Sequence, residues 1–357
     1  MTLIIAEAGV NHNGSADLAR DLVRAAHKAG ADIVKFQTFK AKNLVTDKAT
    51  QASYQKKNTG KEESQLAMLQ RLELSHELHF ELVEYCNELG IEFLSTAFDD
   101  ESLDFLVNKL HLKRLKIPSG EITNAPLVLK HAQTGCDLIV STGMATMAEI
   151  EAVLGVIAFG YLNSKKSNPT RADFEAAYAS DAGQHILREK VSVLHCTTEY
   201  PAPMAEINLN AMDTISSTFK LEVGYSDHSH GITIPIAAVA KGAQIIEKHF
   251  TLDRNLEGPD HKASLEPSEL TAMISAIRDV EIALGDGVKR PTVSEVHNKA
   301  IARKSLVAAK PIAKGQQITA EDVAVKRPGS GRSPFDYWQV IGKSSTQDYL
   351  VGDLIVE

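Results

Sequence analysis

The sequence predicts an α/β fold, a closed (β/α)8 barrel, followed by a small and mostly β module. Short apolar or β-branched runs alternate with amphipathic helical patterns from residue 3 to residue 284, and such alternation is typical of a parallel sheet. Eight runs of this kind fit a closed barrel. A turn-rich segment then precedes short strand patterns near the carboxyl terminus. An open doubly wound sheet is the alternative fold.

The predicted strands are separated by helices whose ends are marked in the sequence. Ser15 is suited to cap the first helix and Gly30 to end it, and Ser75 and Gly90 bracket a later helix in the same way. The segment Thr146–Glu149 has the capping-box pattern. The eight predicted strands are Leu3–Ala6, Asp32–Phe36, Ile91–Leu94, Arg114–Ile117, Leu138–Val140, Val191–Leu194, Leu221–Gly224 and Ala243–Ile246.

These patterns divide the chain into a barrel over residues 1–284, a linker over 285–296 and a terminal module over 297–357. A polar insertion near residues 160–188 precedes the sixth strand and contains a predicted helix around Ala172–Ala179. We interpret this insertion as a surface addition. The terminal module is small, so we expect it to have little core of its own and to dock elsewhere.

Composition narrows the function classes. A net charge of −8 argues against general affinity for nucleic acid, so any anion site must be built locally from a few lysines. Cys86, Cys136 and Cys196 are widely spaced, which suits a reducing compartment. The start of the chain lacks a signal-peptide pattern, and no apolar run is long enough for a membrane span. We therefore expect a soluble, cytoplasmic protein that binds neither nucleic acid nor membranes.

Polar residues follow nearly every predicted strand, and in a barrel of this kind the carboxyl ends of the strands form the active site. Lys35 and Lys116 each follow an apolar run. Two lysines together with serine hydroxyls and glycine turns suit a phosphorylated anionic substrate. A desolvated lysine that forms a Schiff base with a carbonyl substrate is the alternative chemistry.

Two histidines, His228 and His249, end neighbouring strands, and neutral imidazoles are common ligands of divalent metal ions. A shared ion would act as a Lewis acid or would activate water. Glu7 and Glu121 are candidates for general acid–base catalysis, and an ion pair with a lysine is the alternative for each. His12 and His195 are better explained as hydrogen-bonding residues, although each of them also lies close to a strand end.

Nine segments together resemble the bacterial sialic acid synthase family, which condenses phosphoenolpyruvate with an N-acetylated mannosamine-type sugar. They are Ala6–Gly14 (AEAGVNHNG), Val34–Thr38 (VKFQT), Lys116–Glu121 (KIPSGE), Ser141–Met144 (STGM), His195–Pro201 (HCTTEYP), Gly224–His228 (GYSDH), Glu247–Thr251 (EKHFT), Gly258–Asp260 (GPD) and Lys326–Gly329 (KRPG). The resemblance implies a metal-dependent TIM barrel and an antifreeze-like (SAF) domain. It also implies a domain-swapped homodimer, in which each module reaches the partner's barrel.

The resemblance also implies roles for individual residues. His228 and His249 match the metal ligands, for Mn²⁺ or else Mg²⁺ or Co²⁺, and Glu121, Glu7 and Lys116 match catalytic positions. Positions that match phosphoenolpyruvate contacts are Lys35, Lys116, Ser119, Ser141, Thr198 and Ser226, with Thr198 standing where some members have Asn. Positions that match sugar contacts are Glu7, Gln37, Asn58, Tyr200, Asp260 and, from the partner's module, Arg327.

The expected reaction is therefore that of an N-acetylneuraminate synthase, a transferase of sialic acid biosynthesis that uses N-acetylmannosamine. A legionaminate-type synthase, acting on a 2,4-diacetamido-dideoxy sugar, is the alternative within the same chemistry. A pyruvate lyase that uses a lysine Schiff base is the alternative from another enzyme class. A carbohydrate-binding protein with an inert barrel is the non-enzymatic alternative.

Overall fold

The computed structural model describes residues 1–51, 56, 63–163 and 168–357 and divides the chain into two compact units, Met1–Gly285 and Asp286–Glu357. The segment expected to be a linker, residues 285–296, includes the start of a helix, Val293–Ala302. Within the described residues no helix is long and apolar enough to cross a membrane.

The first unit is a closed barrel of eight parallel strands in sequence order, in which the first strand pairs with the eighth. The predicted α/β barrel is therefore confirmed, and the open sheet is excluded. Most of the strands extend beyond the predicted ends, because polar inward-facing residues interrupt the apolar pattern before the strand stops. The strands are β1 Leu3–Gly9, β2 Ile33–Thr38, β3 Glu92–Ala97, β4 Arg114–Ile117, β5 Asp137–Ser141, β6 Val191–Cys196, β7 Glu222–Asp227 and β8 Ile245–His249.

Helices connect the strands, and the predicted caps are present. The Ser15 and Ser75 hydroxyls each accept a hydrogen bond from a backbone N–H in the first turn, and Gly30 and Gly90 end their helices in the left-handed conformation. Among the described residues, the helices of the first unit are α1 Ala16–Ala29, α2 Ala41–Leu44, α3 Gln65–Leu72, α4 His76–Leu89, α5 Asp100–Asp104, α6 Ala125–Gln133, α7 Met147–Leu162, α8 Arg171–Ala179, α9 Asp181–Lys190, α10 Asn210–Phe219, α11 Thr233–Ala240 and α12 Pro267–Leu284. Phe105–Lys109 forms a π-helix, and short 3₁₀ turns occur at Ser119–Glu121, Met204–Glu206 and His261–Ala263.

The barrel interior is built in layers, because residues two apart on a strand face the same side. An apolar layer closes the interior and consists of Ile5, Ile33, Leu94, Ile139, Leu194 and Ile245. Two residues further along the same strands stand Glu7, Lys35, Thr96, Ser141, Cys196 and Glu247. The fold thus places a layer of charged and hydroxyl groups directly on the apolar layer.

The insertion before β6 forms α8 and α9, which confirms the predicted helix around Ala172–Ala179. Phe174 of α8 packs edge-on against Phe159 of α7, with ring centroids 5.3 Å apart. The insertion is thus anchored to the outer layer of helices.

The second unit contains α13 Val293–Ala302, an antiparallel pair of strands, β9 Ser305–Ala308 and β10 Val323–Lys326, and α14 Tyr337–Val340. Short 3₁₀ turns occur at Ala320–Asp322 and Pro334–Asp336. Contrary to expectation, the module has a buried cluster of its own, formed by Leu306, Ala308, Ile312, Ile318, Val323, Val340, Tyr349 and Ile355.

Candidate active site

A cavity of ≈ 320 Å³ opens at the carboxyl ends of the barrel strands. Nearly all of the predicted site residues in the first unit line this one cavity: Glu7, Lys35, Gln37, Lys116, Ser119, Glu121, Ser141, Thr198, Tyr200, Ser226, His228, His249 and Asp260. Asn58 lies outside the described residues. Arg327 lies in the second unit, where it is exposed and its Nε donates a hydrogen bond to the Ala302 carbonyl oxygen.

The floor of the cavity holds a buried network of two lysines and two glutamates. Lys35 Nζ lies 2.6 Å from Glu7 Oε2 and 3.7 Å from Glu247 Oε2, and Lys116 Nζ lies 3.6 Å from Glu247 Oε1. Lys116 also donates a hydrogen bond to Ser141 Oγ at 2.6 Å. The two ammonium groups are thus balanced by two carboxylates, and Glu247 bridges them.

Burial and this pairing act on the four groups differently. Burial raises the pKa of Glu7 to about 7, against the opposing effect of Lys35. Burial acts on Glu247 in the same direction, but the two lysines outweigh it and lower its pKa to about 2. Burial opposes protonation of Lys35, yet Glu247 and Glu7 together raise its pKa, whereas burial prevails at Lys116 and lowers its pKa. Glu247 is therefore the fixed negative charge, and Glu7 is the group able to gain or lose a proton near neutrality.

The His228 and His249 rings lie side by side, with their centroids 5.5 Å apart. His228 Nδ1 lies 2.7 Å from the Thr197 carbonyl oxygen, which orients the ring. The buried His249 Nδ1 has no hydrogen-bond partner among the described residues. Burial first and His228 second keep the pKa of His249 well below its ordinary value, so the ring is neutral and one of its two nitrogens keeps a free lone pair.

These features fit a divalent metal ion. An imidazole nitrogen about 2.1 Å from such an ion places its ring centroid about 3 Å from it, so two ligand rings stand roughly 5 Å apart. In the described part of the chain, no cluster of three or more His, Cys, Asp or Glu side chains is placed to hold an ion. The imidazole pair would therefore supply two ligands to such an ion.

Hydroxyl and backbone groups surround the lysines. Gly143 N–H donates to Ser119 Oγ at 2.9 Å, and Ser226 Oγ donates to Glu247 Oε1 at 2.9 Å. Tyr200 lies over His228, with ring centroids 4.1 Å apart. A Cβ atom at Gly143 would lie 2.1 Å from Thr198 Oγ1, so the backbone at this position passes close to the hydroxyl groups.

The two candidate acid–base residues, Glu7 and Glu121, differ in their partners. Glu7 is paired with Lys35, whereas Glu121 is only half-buried, at the cavity mouth, and accepts a hydrogen bond from Asn124 Nδ2 at 2.7 Å. His12 and His195 have hydrogen-bonding roles, as expected: His12 Nδ1 accepts from the Gly14 N–H, and His195 Nε2 lies 2.8 Å from the Ile207 carbonyl oxygen.

Sequence reasoning missed several residues of the site. Glu247 was not predicted as a site residue, although its position two residues before His249 places both on the inward face of β8. The same two-residue spacing, counted from the apolar layer of the barrel interior, identifies Thr96 and Cys196. An apolar side of the cavity was not predicted at all.

A closed parallel barrel with buried lysines, acidic groups and an imidazole pair at its carboxyl mouth is the active-site architecture of a barrel enzyme. The chain belongs to the NeuB family, whose model matches residues 22–289, and the SAF domain model matches residues 303–355.

The relatives of this chain include two enzymes with the same name. The chain is 50% identical to the N,N'-diacetyllegionaminic acid synthase of Campylobacter jejuni, over 100% of this chain and 99% of that protein. It is 44% identical to the protein of that name from Legionella pneumophila, over 99% and 93%. A crystal structure of the N-acetylneuraminic acid synthetase from Leptospira borgpetersenii matches with a TM-score of 0.66 and 31% identity, over 83% of this chain and 90% of that one. Within the expected family, the similarities thus favour the legionaminate-type alternative.

Proposed function

We propose that the protein condenses phosphoenolpyruvate and water with a mannosamine-type sugar bearing two acetamido groups, and releases inorganic phosphate. The product would be a legionaminate-type nine-carbon acid. The observation that carries this proposal is the convergence of Lys35, Lys116 and the His228–His249 pair on one cavity. The choice of acceptor follows the 50% identity to a diacetyllegionaminic acid synthase, and it replaces N-acetylmannosamine as the preferred substrate.

Phosphoenolpyruvate would bind at the charged floor. Lys35 and Lys116 supply two buried positive charges, and the Ser119, Ser141 and Ser226 hydroxyls supply directed hydrogen bonds. Thr198 lies beside them. The apolar layer of the barrel interior lies directly below these groups and excludes water. Electrostatic stabilisation of the phosphate and carboxylate is therefore stronger than in solution.

His228 and His249 would hold the divalent ion, for which we propose Mn²⁺. When bound, such an ion supplies Lewis-acid polarisation of the acceptor's aldehyde oxygen. The donor set supports this assignment, since one imidazole is oriented by the Thr197 carbonyl oxygen and the other has a buried nitrogen available.

The chain's carboxyl groups would transfer the protons that the reaction requires. The enol carbon attacks the aldehyde carbon, water adds to the carbon that carries phosphate, and cleavage of the C–O bond expels phosphate. Glu7, whose pKa burial raises to about 7, is able to give a proton to the alkoxide oxygen that forms from the aldehyde, which becomes the new hydroxyl group. Glu121 lies at the mouth, where it is placed to meet the attacking water.

We propose that the active protein is a homodimer in which Arg327 of one subunit contacts the acceptor's acyl group in the other. Arg327 is exposed within its own unit, so its guanidinium is accessible to a second subunit. A monomeric mass in solution, under conditions where the protein is fully active, would contradict this part of the proposal.

The test is release of phosphate from phosphoenolpyruvate with a panel of amino sugars, with and without added Mn²⁺. We expect the diacetamido sugar to be used best, chelation to stop turnover, and Lys35→Met to abolish it. Borohydride trapping of a pyruvate adduct, together with insensitivity to chelation, would instead establish the lyase. Absence of phosphate release with every sugar would leave only the non-enzymatic alternative.

A further inference from the structure

A buried asparagine joins two chain-distant segments behind the cavity. Asn11 lies just after β1 and is 2% exposed. Its Nδ2 donates one hydrogen bond to the Phe250 carbonyl oxygen, at 2.8 Å, and another to Ser264 Oγ, at 2.9 Å. The described residues that line the cavity include neither Asn11 nor Ser264. Any effect of the Asn11 side chain on the reaction therefore passes through the groups that it holds.

The hydrogen bonds form a chain with a fixed direction. Ser264 Oγ donates its single hydrogen to the Asp260 carbonyl oxygen, at 2.7 Å. The Phe250 and Asp260 carbonyl groups can only accept, so the NH₂ group of the Asn11 amide must face Phe250 and Ser264. Because Ser264 accepts from this amide, its own hydrogen stays available for Asp260. Asn11 and Ser264 are both buried, so bulk water does not readily replace either partner.

The chain of hydrogen bonds reaches the site at two points. Asp260 lines the cavity and precedes the 3₁₀ turn His261–Ala263, so Ser264 holds its backbone from the far end of that turn. Phe250, the other partner of Asn11, directly follows His249. One amide group therefore connects the end of β8 and the segment that carries Asp260 to the end of β1.

A second set of contacts holds the same segment independently. His261 Nδ1 lies 2.7 Å from Thr251 Oγ1, and His261 Nε2 lies 3.2 Å from Asn13 Oδ1. These contacts remain when the Asn11–Ser264–Asp260 chain is broken. We therefore expect such a break to shift Asp260 rather than to unfold the segment.

We propose, on the basis of the proposed function, that Asn11 and Ser264 are positioning residues that fix Asp260 relative to His249 for use of the acceptor sugar. Lys35 and Lys116 lie on the strands, at the level proposed for phosphoenolpyruvate, whereas Asp260 follows β8 and lies at the mouth. The acceptor has to occupy the space above phosphoenolpyruvate, where Asp260 lies. A misplacement of about 1 Å at such a contact reduces turnover by up to about a hundredfold.

The first test is steady-state kinetics of the wild type, Asn11→Ala, Ser264→Ala and the double variant with phosphoenolpyruvate and the diacetamido acceptor. Each single variant should raise the KM for the acceptor about tenfold and leave the KM for phosphoenolpyruvate within about twofold of the wild-type value. The double variant should be no worse than the worse of the two single variants, because one break already releases Asp260.

Asn11→Asp separates positioning from packing. The aspartate has nearly the same shape but offers no hydrogen when ionised, so the Ser264 hydroxyl should turn towards it and leave Asp260. We expect its KM for the acceptor to rise at least as much as in Asn11→Ala, whereas a packing role predicts the smaller effect for aspartate. Ser102→Ala is the matched control, since it removes a buried hydroxyl that donates to Asp99 Oδ2, at 2.8 Å, away from the cavity.

Urea unfolding of each variant establishes that the protein measured is folded. An unchanged KM for the acceptor in both alanine variants would overturn the inference and leave the proposed function intact. An equal rise of both KM values, or additive effects in the double variant, would overturn it in the same way. Absence of phosphate release by the wild type with every acceptor would overturn the proposed function, and the inference with it.

Discussion

Replacing Lys248 with methionine should destabilise the barrel strongly, although Lys248 does not line the cavity. Lys248 stands between the inward-facing Glu247 and His249, so its side chain points to the outer face of β8. Its Nζ lies 2.5 Å from Asp227 Oδ2, it also donates to the Ser229 carbonyl oxygen, and both charged side chains are fully buried. The pair directly joins β7 to β8, the strands that lead to His228 and His249.

The magnitude follows from what the substitution leaves behind. Without Lys248 the Asp227 carboxylate stays buried and uncompensated, a situation that costs about 3–5 kcal/mol. Asp227 retains two hydrogen bonds from Ser229, each 3.0 Å long, so we expect the lower end, about 3 kcal/mol. The double variant Asp227→Asn/Lys248→Met removes both charges and should recover a substantial part of this loss.

The assay is urea unfolding of the wild type, both single variants and the double variant, with kcat/KM measured alongside. Lys241→Met is the matched control, because it breaks a partly exposed ion pair with Asp213, 2.8 Å long, that should contribute about 0–1 kcal/mol. Unfolding of Lys248→Met at the wild-type urea concentration, or a double variant no more stable than the single one, would refute the reasoning.

Two further outcomes are expected. Gly143→Ala should raise the KM for phosphoenolpyruvate at least about tenfold, because the new Cβ would lie 2.1 Å from Thr198 Oγ1. Gly120→Ala adds a Cβ in open space and is the control. An unchanged KM in Gly143→Ala would contradict the close approach. Burial lowers the pKa of His131 to about 4, below its ordinary unfolded value, so between those values the unfolded chain binds more protons and stability falls on acidification. Between pH 7 and pH 5, His131→Gln should therefore lose about 2 kcal/mol less stability than the wild type, measured by denaturant unfolding. His185→Gln changes an exposed histidine and is the control. Equal pH dependence of stability in the wild type and both variants would count against this prediction.

The sequence by itself determined the order and type of the elements. Alternation of apolar runs with helical patterns was enough to predict the barrel, and Ser15, Gly30, Ser75 and Gly90 marked helix ends correctly, because caps act within one turn of the chain. Strand ends were less well predicted. The inward-facing Glu7 and Glu247 break the apolar run while the backbone pairing continues, so hydrophobicity alone stops too early.

The candidate site was predicted as a set of residues but not as a set of contacts. Lys35, Lys116, His228 and His249 were identified from their positions near strand ends, which a parallel barrel brings to one mouth. Only closure of the sheet by the β1–β8 pairing places Glu7 beside His249 in register and lets Glu247 bridge both lysines. Pairing partners and pKa shifts depend on distances between chain-distant atoms, which periodicity does not encode.

The apolar side of the cavity also depends on tertiary structure; it consists of Val10, Phe39, Leu44, Met68, Leu69 and Phe98. Phe39 and Phe98 follow different strands, and Leu44, Met68 and Leu69 belong to helices α2 and α3, so no single stretch of sequence shows that they share a surface. Each reads locally as an ordinary core residue. The tertiary structure alone decides that they face the mouth opposite the polar groups, because side chains from five separate segments meet only once the barrel has closed.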